Sequence, residues 1–316
     1  MADLVEISKN LLRDCLALKP GEQLLVLTDD IKEELAQNMY KAGKVLGATP
    51  ILVKIPTMEK SGQEPPKAAA EAMKNADVVV CITEHSVTHT NAKKAAAESG
   101  ARIATMPGIT EEMFREGAIT ADYVEVEKLT KKVADILTQG SSVIVEKQGY
   151  KLEIDITGRK GIESPGRYTK KGESGNLPSG EAYIAPAEGK SSGQILVDGS
   201  IVGIGKLDEP ILLTVKDGLL ISAEGKEAEK WLKILGDSKE ARNLAEFGIG
   251  TNPNARLTGN ILEDEKILGT IHVAFGSNNT FGGTVSAGVH LDAVVLNPTV
   301  HVDGKLIMDN GKLILE

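Results

Sequence analysis

The sequence predicts an α/β N-terminal domain with a doubly wound, mostly parallel sheet, followed by an α+β C-terminal domain rich in antiparallel strands. Apolar runs alternate with helical periods over roughly the first 140 residues, which is typical of strands separated by helices. Beyond that point, short strands and glycine-centred turns dominate. A chain of 316 residues also suits two domains of roughly 100–200 residues each. We therefore expect domains at 1–140 and 141–316.

The N-terminal half contains strand-like apolar runs at 23–27, 51–55, 78–82 and 102–106, with helical segments between them. Continuous apolar runs suit strands that are covered on both faces. Neither GxGxxG nor GxxxxGK[ST] opens any of the predicted helices, so the sequence does not indicate a loop whose backbone amides bind phosphate. The fold class alone therefore predicts no nucleotide.

The C-terminal half begins after a charged helical stretch at 122–138 and is punctuated by Asp-Gly and Asn-Gly pairs. The pairs at 198–199, 217–218, 303–304 and 310–311 predict tight hairpins, because these residue types tolerate the positive φ that such turns require. One helix, at 227–235 around Trp231, interrupts the strands. This half is therefore predicted to be mostly antiparallel sheet.

Composition argues against several classes of partner. Asp and Glu number 45 against 36 Lys and Arg, a net charge of −9, and no basic block is present, so we expect no binding to nucleic acid. No run approaches the roughly 18 apolar residues of a membrane-spanning helix, so we expect no membrane partner. Cys15 and Cys81 lie far apart in apolar surroundings, which favours a reducing compartment and predicts a cytoplasmic protein.

The first functional signal is the tripeptide His290-Leu291-Asp292 near the C-terminus. In a strand, the side chains of His290 and Asp292 would point to the same face and could bind one metal ion. A histidine beside an aspartate is, however, more often a structural hydrogen bond. The prediction of a metal site therefore needs further ligands.

Three further candidates lie upstream in apolar or glycine-rich surroundings: Glu181, Glu246 and His272. A buried imidazole or carboxylate requires a hydrogen-bonding partner or a compensating charge. Together with His290 and Asp292, they form a set of two imidazoles and three carboxylates that suits two divalent ions such as zinc, cobalt or manganese. The alternative is five separate salt-bridged or capping residues.

At these residues the chain resembles the thermophilic metallo-aminopeptidases, aminopeptidase T and aminopeptidase S, which are leucyl aminopeptidase-like enzymes. The resemblance covers roughly residues 140–316, through the segments NLPSGEAYIAP, DGSI, AEFGIGTNP, EDEKILGTIHVAFGSN, and HLD followed by NPTVHVDG. It implies a cocatalytic dinuclear metal site on the same five residues, a small peptide substrate and a homodimer. It also implies that the N-terminal α/β domain helps to enclose the cavity.

This resemblance predicts a metal-dependent aminopeptidase that removes N-terminal residues through a water bridging two ions. We expect Glu265, about seven residues before His272, to be the general base that takes the proton of this water. The family's peptidases carry a tyrosine seven residues after the histidine that matches His272, and Asn279 stands here. An amide also donates a hydrogen bond, so Asn279 is the predicted oxyanion donor. The alternative for both residues is a polar surface turn.

The chain also resembles a branch related to these aminopeptidases. This branch shares their fold and the His-x-Asp pattern, and it consists of mononuclear iron dioxygenases that cleave dihydroxypyridine rings. This alternative would use His272, His290 and Asp292 as ligands of a single Fe(II). Two observations favour the hydrolase: Glu181 and Glu246 would crowd an ion that needs open positions, and an aromatic content of 3% offers little stacking surface for a heteroaromatic ring. A non-catalytic, metal-containing binding protein is the third alternative.

A second polar cluster, Glu84-His85-Ser86-Val87-Thr88-His89, follows the apolar run at 78–82. In doubly wound sheets, ligands bind beyond the carboxyl ends of the strands. We therefore predict that His85 and His89 bind substrate. The alternative is a loop that only caps the next helix.

Overall fold

The computed structural model describes residues 3–315, which form two compact units. The first unit comprises residues 3–124 and 166–179, and the second comprises residues 125–165 and 180–315. The chain passes into the second unit before the predicted boundary at 140–141, and residues 166–179 return to the first unit, which the sequence pattern does not indicate. No helix within residues 3–315 combines the length and the apolar character needed to span a membrane.

The secondary structure comprises both α-helices and β-strands, whose bounds are as follows. The helices are α1 (Leu4–Asn10), α2 (Glu33–Val45), α3 (Lys67–Lys74), α4 (Asn91–Glu98), α5 (Glu111–Arg115), α6 (Tyr123–Gln139), α7 (Ala228–Leu235) and α8 (Ile261–Asp264). The strands are β1 (Gln23–Asp29), β2 (Thr49–Ile55), β3 (Val78–Ile82), β4 (Arg102–Thr105), β5 (Ser142–Lys147), β6 (Tyr150–Asp155), β7 (Ile162–Ser164), β8 (Ser174–Asn176), β9 (Glu181–Ile184), β10 (Ser192–Val197), β11 (Ser200–Ile201), β12 (Gly205–Lys206), β13 (Ile211–Lys216), β14 (Leu219–Glu224), β15 (Leu244–Gly250), β16 (Thr270–Gly276), β17 (His290–Leu296), β18 (Thr299–Val302), β19 (Lys305–Asp309) and β20 (Lys312–Leu313). A π-helical turn, Leu11–Cys15, follows α1, and a 3₁₀ turn, Gly117–Thr120, follows α5.

Within the described residues, the first unit contains a five-stranded parallel sheet with the strand order β2-β1-β3-β4-β8. Strands β3 and β4 are buried along their whole length, as the continuous apolar sequence of β3 predicts, although β4 also buries Arg102 and Thr105. Helix α4 begins where the Thr90 hydroxyl accepts the backbone N–H of Lys93. The predicted parallel α/β architecture is confirmed, and strand β8 adds an edge that the sequence analysis did not predict.

The second unit contains two antiparallel sheets within the described part of the chain. One has eight strands in the order β14-β13-β10-β6-β5-β18-β19-β20, and the other has seven in the order β12-β11-β17-β16-β15-β9-β7. Apolar side chains of both sheets, of α6 and of α7 form one hydrophobic core. In this core Trp231 meets Phe275 edge to face, with ring centroids 5.9 Å apart. The predicted antiparallel-rich α+β architecture is confirmed.

Three of the four predicted Asp-Gly or Asn-Gly turns form hairpins. They join β13 to β14, β18 to β19 and β19 to β20, and the residue before each glycine has a positive φ. The pair Asp198-Gly199 instead links β10 of the eight-stranded sheet to β11 of the seven-stranded sheet. There Asp198 accepts the backbone N–H of Leu296 and pairs with Lys147. The hairpin predicted at this pair is therefore wrong.

Candidate metal centre

Four neighbouring strands of the seven-stranded sheet, β9, β15, β16 and β17, carry the predicted metal ligands. Alternate residues of each strand face the hydrophobic core, and β16 contributes Ile271, Val273 and Phe275 to it. His272 lies between these residues and therefore points to the opposite face of the sheet. The same alternation places the other predicted ligands on that face: Glu181, Glu246, His290 and Asp292.

The strand register brings these residues into adjacent rows across the sheet. Glu246 of β15 is paired with Ala274 of β16, which is paired with Asp292 of β17. In a neighbouring row, His272 is paired with Gly248. A Cβ atom on Gly248 would lie 2.0 Å from Nε2 of His272, so a glycine is needed to leave room for the imidazole. Small residues between the polar ones thus allow the polar side chains to converge.

The structure brings together all five residues predicted as metal ligands. His272 Nε2 lies 3.2 Å from Glu246 Oε1 and 3.4 Å from Glu181 Oε2. His290 Nε2 lies 3.4 Å from Glu246 Oε2 and 3.4 Å from Asp292 Oδ1. Glu246 therefore lies between the two imidazoles and contacts both. The His272 side chain is fully buried, whereas that of His290 is 30% exposed, so the centre is open to solvent on the His290 side.

Burial and mutual contacts shift the pKa values of these groups strongly. Burial acts to raise the pKa of Glu246, but hydrogen bonds from His272 and His290 outweigh it and hold the pKa at about 2. Burial acts to lower the pKa of His272, but the neighbouring carboxylates, Glu246 first, raise it to about 9. Asp292 and Glu246 raise the pKa of His290 well above its ordinary value against the effect of burial. The carboxylates thus stabilise positive charge at this position.

The orientation of His290 suits metal binding. Its Nδ1 lies 2.8 Å from the backbone carbonyl oxygen of Ser277. Because a carbonyl oxygen can only accept a hydrogen bond, Nδ1 carries a proton and the neutral imidazole presents Nε2 as its ligand atom. His272 also directs Nε2 towards the carboxylates, and among residues 3–315 its buried Nδ1 has no hydrogen-bond partner.

The donor atoms form two groups that share His272. Donors of Glu246, His272 and Asp292 lie within 4.8 Å of one another, and so do donors of Glu181, Glu265 and His272. Imidazole nitrogen and carboxylate oxygen are donors that zinc, iron, cobalt and manganese accept. The convergence of these donors, their burial and the positive charge that they stabilise all fit a divalent metal ion.

Lys266 is a member of this centre that the sequence pattern does not predict. Its side chain is fully buried, and its Nζ donates to Glu181 Oε1 at 2.7 Å and to a carboxylate oxygen of Glu265. Gly250 allows this close packing, because a Cβ atom there would lie 2.1 Å from the carbonyl oxygen of Ile267. The available signal was the position of Lys266 between an acidic run and a strand-like apolar run.

Glu265, the predicted general base, lies in the same group as Glu181 and His272. Burial raises its pKa to about 8, with a contribution from the nearby carboxylates and against the lowering effect of Lys266. A group with a pKa near neutrality suits proton transfer. Its catalytic role stays a prediction.

The loop 277–289, between β16 and β17, is held by side-chain hydrogen bonds. Buried Asn278 donates to Glu188 Oε1 at 3.2 Å and accepts the backbone N–H of Val285 at 2.9 Å. Arg159 also contacts Glu188. Asn279, the predicted oxyanion donor, is exposed in this loop, and its role stays a prediction.

An aromatic pair flanks His290. The ring of Phe281 meets the imidazole of His290 edge to face at a centroid distance of 5.7 Å, and Tyr183 meets Phe281 at 5.5 Å. Both aromatic side chains are partly exposed. The low aromatic content of the chain argues against a heteroaromatic substrate only if aromatic residues are spread evenly. The structure instead places two of them beside the predicted ligands.

His85 and His89 lie in the first unit, after β3. The backbone carbonyl of half-buried His85 accepts the Thr83 hydroxyl at 2.7 Å, and His89 is exposed. Between β3 and these histidines, Glu84 pairs with Lys32 at 2.9 Å. Substrate binding by His85 and His89 stays a prediction.

The fold of this chain is also found in solved structures, two of which are as follows. A 2,5-dihydroxypyridine dioxygenase from Pseudomonas putida KT2440 superposes with a TM-score of 0.83 and 19% identity, over 99% of this chain and 97% of that chain. Wild-type AmpT from Thermus thermophilus superposes with a TM-score of 0.72 and 16% identity, over 98% of each chain. At these identities the likeness shows the fold alone. No curated protein matches the chain.

A family model distinguishes between the two relatives suggested by the sequence. The model of NicX, described as 2,5-dihydroxypyridine 5,6-dioxygenase, matches residues 3–315. The resemblance to the aminopeptidases is therefore retained as a shared fold, whereas the family match favours the dihydroxypyridine dioxygenase branch. The chain belongs to the NicX, or 2,5-dihydroxypyridine 5,6-dioxygenase, family.

Proposed function

We propose that this protein is a ring-cleaving dioxygenase that uses one Fe(II) ion and acts on a dihydroxylated heteroaromatic ring such as 2,5-dihydroxypyridine. One observation carries the proposal: His272, His290 and Asp292 converge from adjacent strands in a chain that matches the dioxygenase family from residue 3 to residue 315. Two imidazoles and one carboxylate with open positions are the ligand set of non-haem Fe(II) oxygenases.

The chemistry requires no further cofactor. When bound, Fe(II) supplies the one-electron chemistry that allows O₂ to react with a closed-shell ring. Both oxygen atoms enter the product as the bond between C5 and C6 of the ring breaks, so no external reductant is consumed. The aromatic surface of Phe281 and Tyr183 supports binding of a planar ring near His290. Glu265 is the group that we expect to accept the proton of a ring hydroxyl on its carboxylate.

An aminopeptidase with two divalent ions is the second candidate. It is favoured by the second group of donors, Glu181, Glu265 and His272, next to the first. In this case Glu246 would be the shared carboxylate, because it contacts both imidazoles. Glu265 would then take the proton of the attacking water, with zinc, cobalt or manganese as the metal.

The experiment compares both activities on the same samples. Protein stripped of metal is reconstituted anaerobically with Fe(II), Zn(II), Co(II) or Mn(II). Oxygen uptake and loss of ring absorbance are measured with 2,5-dihydroxypyridine, and amino acid release is measured with leucyl peptides. The variants His290→Ala and Glu181→Ala are treated in parallel.

The two candidates predict different results. The dioxygenase predicts stoichiometric O₂ uptake with Fe(II) alone, its loss in His290→Ala, and retention of iron in Glu181→Ala. Peptide hydrolysis with two bound ions per chain, lost in both variants, would contradict it and establish the aminopeptidase. Bound metal with turnover of neither substrate would favour the third alternative, a binding protein.

We also propose that the protein is a cytoplasmic homodimer. The two buried, unpaired cysteines, Cys15 and Cys81, support a reducing location. The dimer rests on the resemblance to the aminopeptidases. Sedimentation equilibrium of the purified chain tests it, and a mass of about 33.5 kDa at all concentrations would contradict it.

A further inference from the structure

Lys266 lies inside one of the two donor groups of the metal centre. In the group of Glu181, Glu265 and His272, both carboxylates accept a hydrogen bond from its ammonium. The distance from Nζ to Glu181 Oε1 is 2.7 Å, and the other oxygen of Glu181 lies 3.4 Å from Nε2 of His272. Glu181 therefore links the ammonium to the imidazole that the two groups share.

The ammonium is fixed in this position by the backbone around it. The N–H of Lys266 donates to the carbonyl of Glu263 at 3.0 Å, and its own carbonyl accepts the N–H of Asn252 at 2.8 Å. The side chain is fully buried, so it has no path to solvent. Its Nζ forms ion pairs with the carboxylates of Glu181 and Glu265.

The other donor group has no such cation. Within residues 3–315, neither Glu246 nor Asp292 lies within ion-pair distance of a lysine or arginine, and both contact histidines instead. The two groups are thus built from the same donor types but differ in whether a fixed positive charge is already present.

We propose that the ammonium of Lys266 takes the place of a second metal ion and thereby restricts the centre to one divalent cation. This inference rests on the proposed function in taking His272, His290 and Asp292 as the ligands of that cation. A divalent ion among Glu181, Glu265 and His272 would lie beside the buried ammonium and would compete with it for the same carboxylate oxygens. The remaining group, with His290, keeps open coordination positions for substrate.

The test is metal stoichiometry, which needs no turnover. Wild-type protein, Lys266→Met and the matched control Lys239→Met, which changes an exposed lysine, are dialysed to equilibrium against excess Mn(II) or Zn(II) and analysed for metal. We expect one ion per chain in the wild type and the control, and two in Lys266→Met. Electron paramagnetic resonance of the Mn(II) samples should show spin coupling between neighbouring ions only in Lys266→Met.

Two ions in the wild type, or one in folded Lys266→Met, would overturn the inference. If circular dichroism shows that Lys266→Met is unfolded, the variant Glu181→Gln, which retains Lys266, tests the inference instead. It should keep one ion with an affinity within about threefold of the wild type, because Glu181 is paired with the ammonium. Loss of the ion, or weakening by more than about tenfold, would overturn the inference. One bound ion without O₂ uptake would contradict the proposed function and leave this inference standing.

Discussion

Two pairs of histidines occupy very different positions in this molecule. His272 and His290 lie on adjacent strands of an antiparallel sheet, and their Nε2 atoms lie 3.2–3.4 Å from buried carboxylates. His85 and His89 lie in a loop after a parallel strand, half-buried and exposed respectively. Each pair has an acidic residue nearby in the sequence, but Glu84 beside His85 pairs with Lys32.

The difference shows what brings polar residues together into a candidate metal centre. In a sheet, strand register and the alternation of faces bring residues that are distant in sequence to the same position and bury them together. In a loop, neighbouring residues share a turn, and their side chains can spread towards solvent. Four predictions test whether this distinction holds.

The largest effect is expected from removing an imidazole of the sheet pair. His272→Ala or His290→Ala should weaken metal binding by more than about 100-fold, since changes of outer-shell partners alone cost 10- to 100-fold. Metal analysis after dialysis measures this. His85→Ala should keep the full metal content, and loss of metal in this control would break the distinction between the pairs.

The next largest effect is expected on the free energy of unfolding as the pH changes, measured on protein from which a chelator has removed the metal. Because the pKa of His272 is raised from 6.5 to about 9, its stabilising contribution is complete below about 6.5 and is lost as the pH rises through 9. At 1.36 kcal/mol per pKa unit, this is on the order of 3 kcal/mol. Glu246, whose pKa is lowered from 4.5 to about 2, has the opposite dependence. It stabilises the folded protein fully above pH 4.5, and this contribution is lost as the pH falls towards 2.

Urea unfolding between pH 3 and pH 10 measures this dependence. The free energy of unfolding should fall at both ends of the range. The alkaline fall should be much smaller in His272→Gln and unchanged in His85→Gln. An equal alkaline fall in His272→Gln would show that the buried imidazole is not its source.

A smaller effect is expected from Gly248→Ala. The added Cβ would lie 2.0 Å from His272 Nε2, so the imidazole must shift and metal affinity should fall by about tenfold. Gly149→Ala is the control, because its Cβ meets nothing within 4 Å and its positive φ costs only backbone strain. Isothermal titration with Mn(II) compares them, and equal affinities would contradict the close packing.

The smallest effect is expected at the loop pair. If His85 and His89 bind substrate, His85→Ala and His89→Ala should raise KM by less than about tenfold, which corresponds to less than about 1.4 kcal/mol, with metal content unchanged. Steady-state oxygen uptake measures KM and kcat separately. An unchanged KM in both variants would instead favour the alternative that this loop only caps the next helix.

Much of the fold could be predicted from local patterns. The strand at 78–82 and the helix around Trp231 have strong periodicity, and they form almost as expected. Strand β8 could not be predicted, because Ser174–Asn176 is short and polar and forms a strand only by pairing with β4. The pair Asp198-Gly199 has the residue types of a hairpin turn, but the sequence does not specify which sheet the next strand joins. The sequence therefore could not distinguish a hairpin from a link between two sheets.

The sequence alone determined which residue types could be ligands, because histidines and acids in apolar strands need compensating charge wherever they pack. Only the tertiary structure decided that a buried ammonium lies among these acids. Lys266 is adjacent to Glu265 in sequence but reaches Glu181 across 85 positions of the chain. Phe281 likewise comes to lie against His290 because the loop 277–289 folds back. Long-range contacts of this kind depend on strand register and loop closure, which no local pattern encodes.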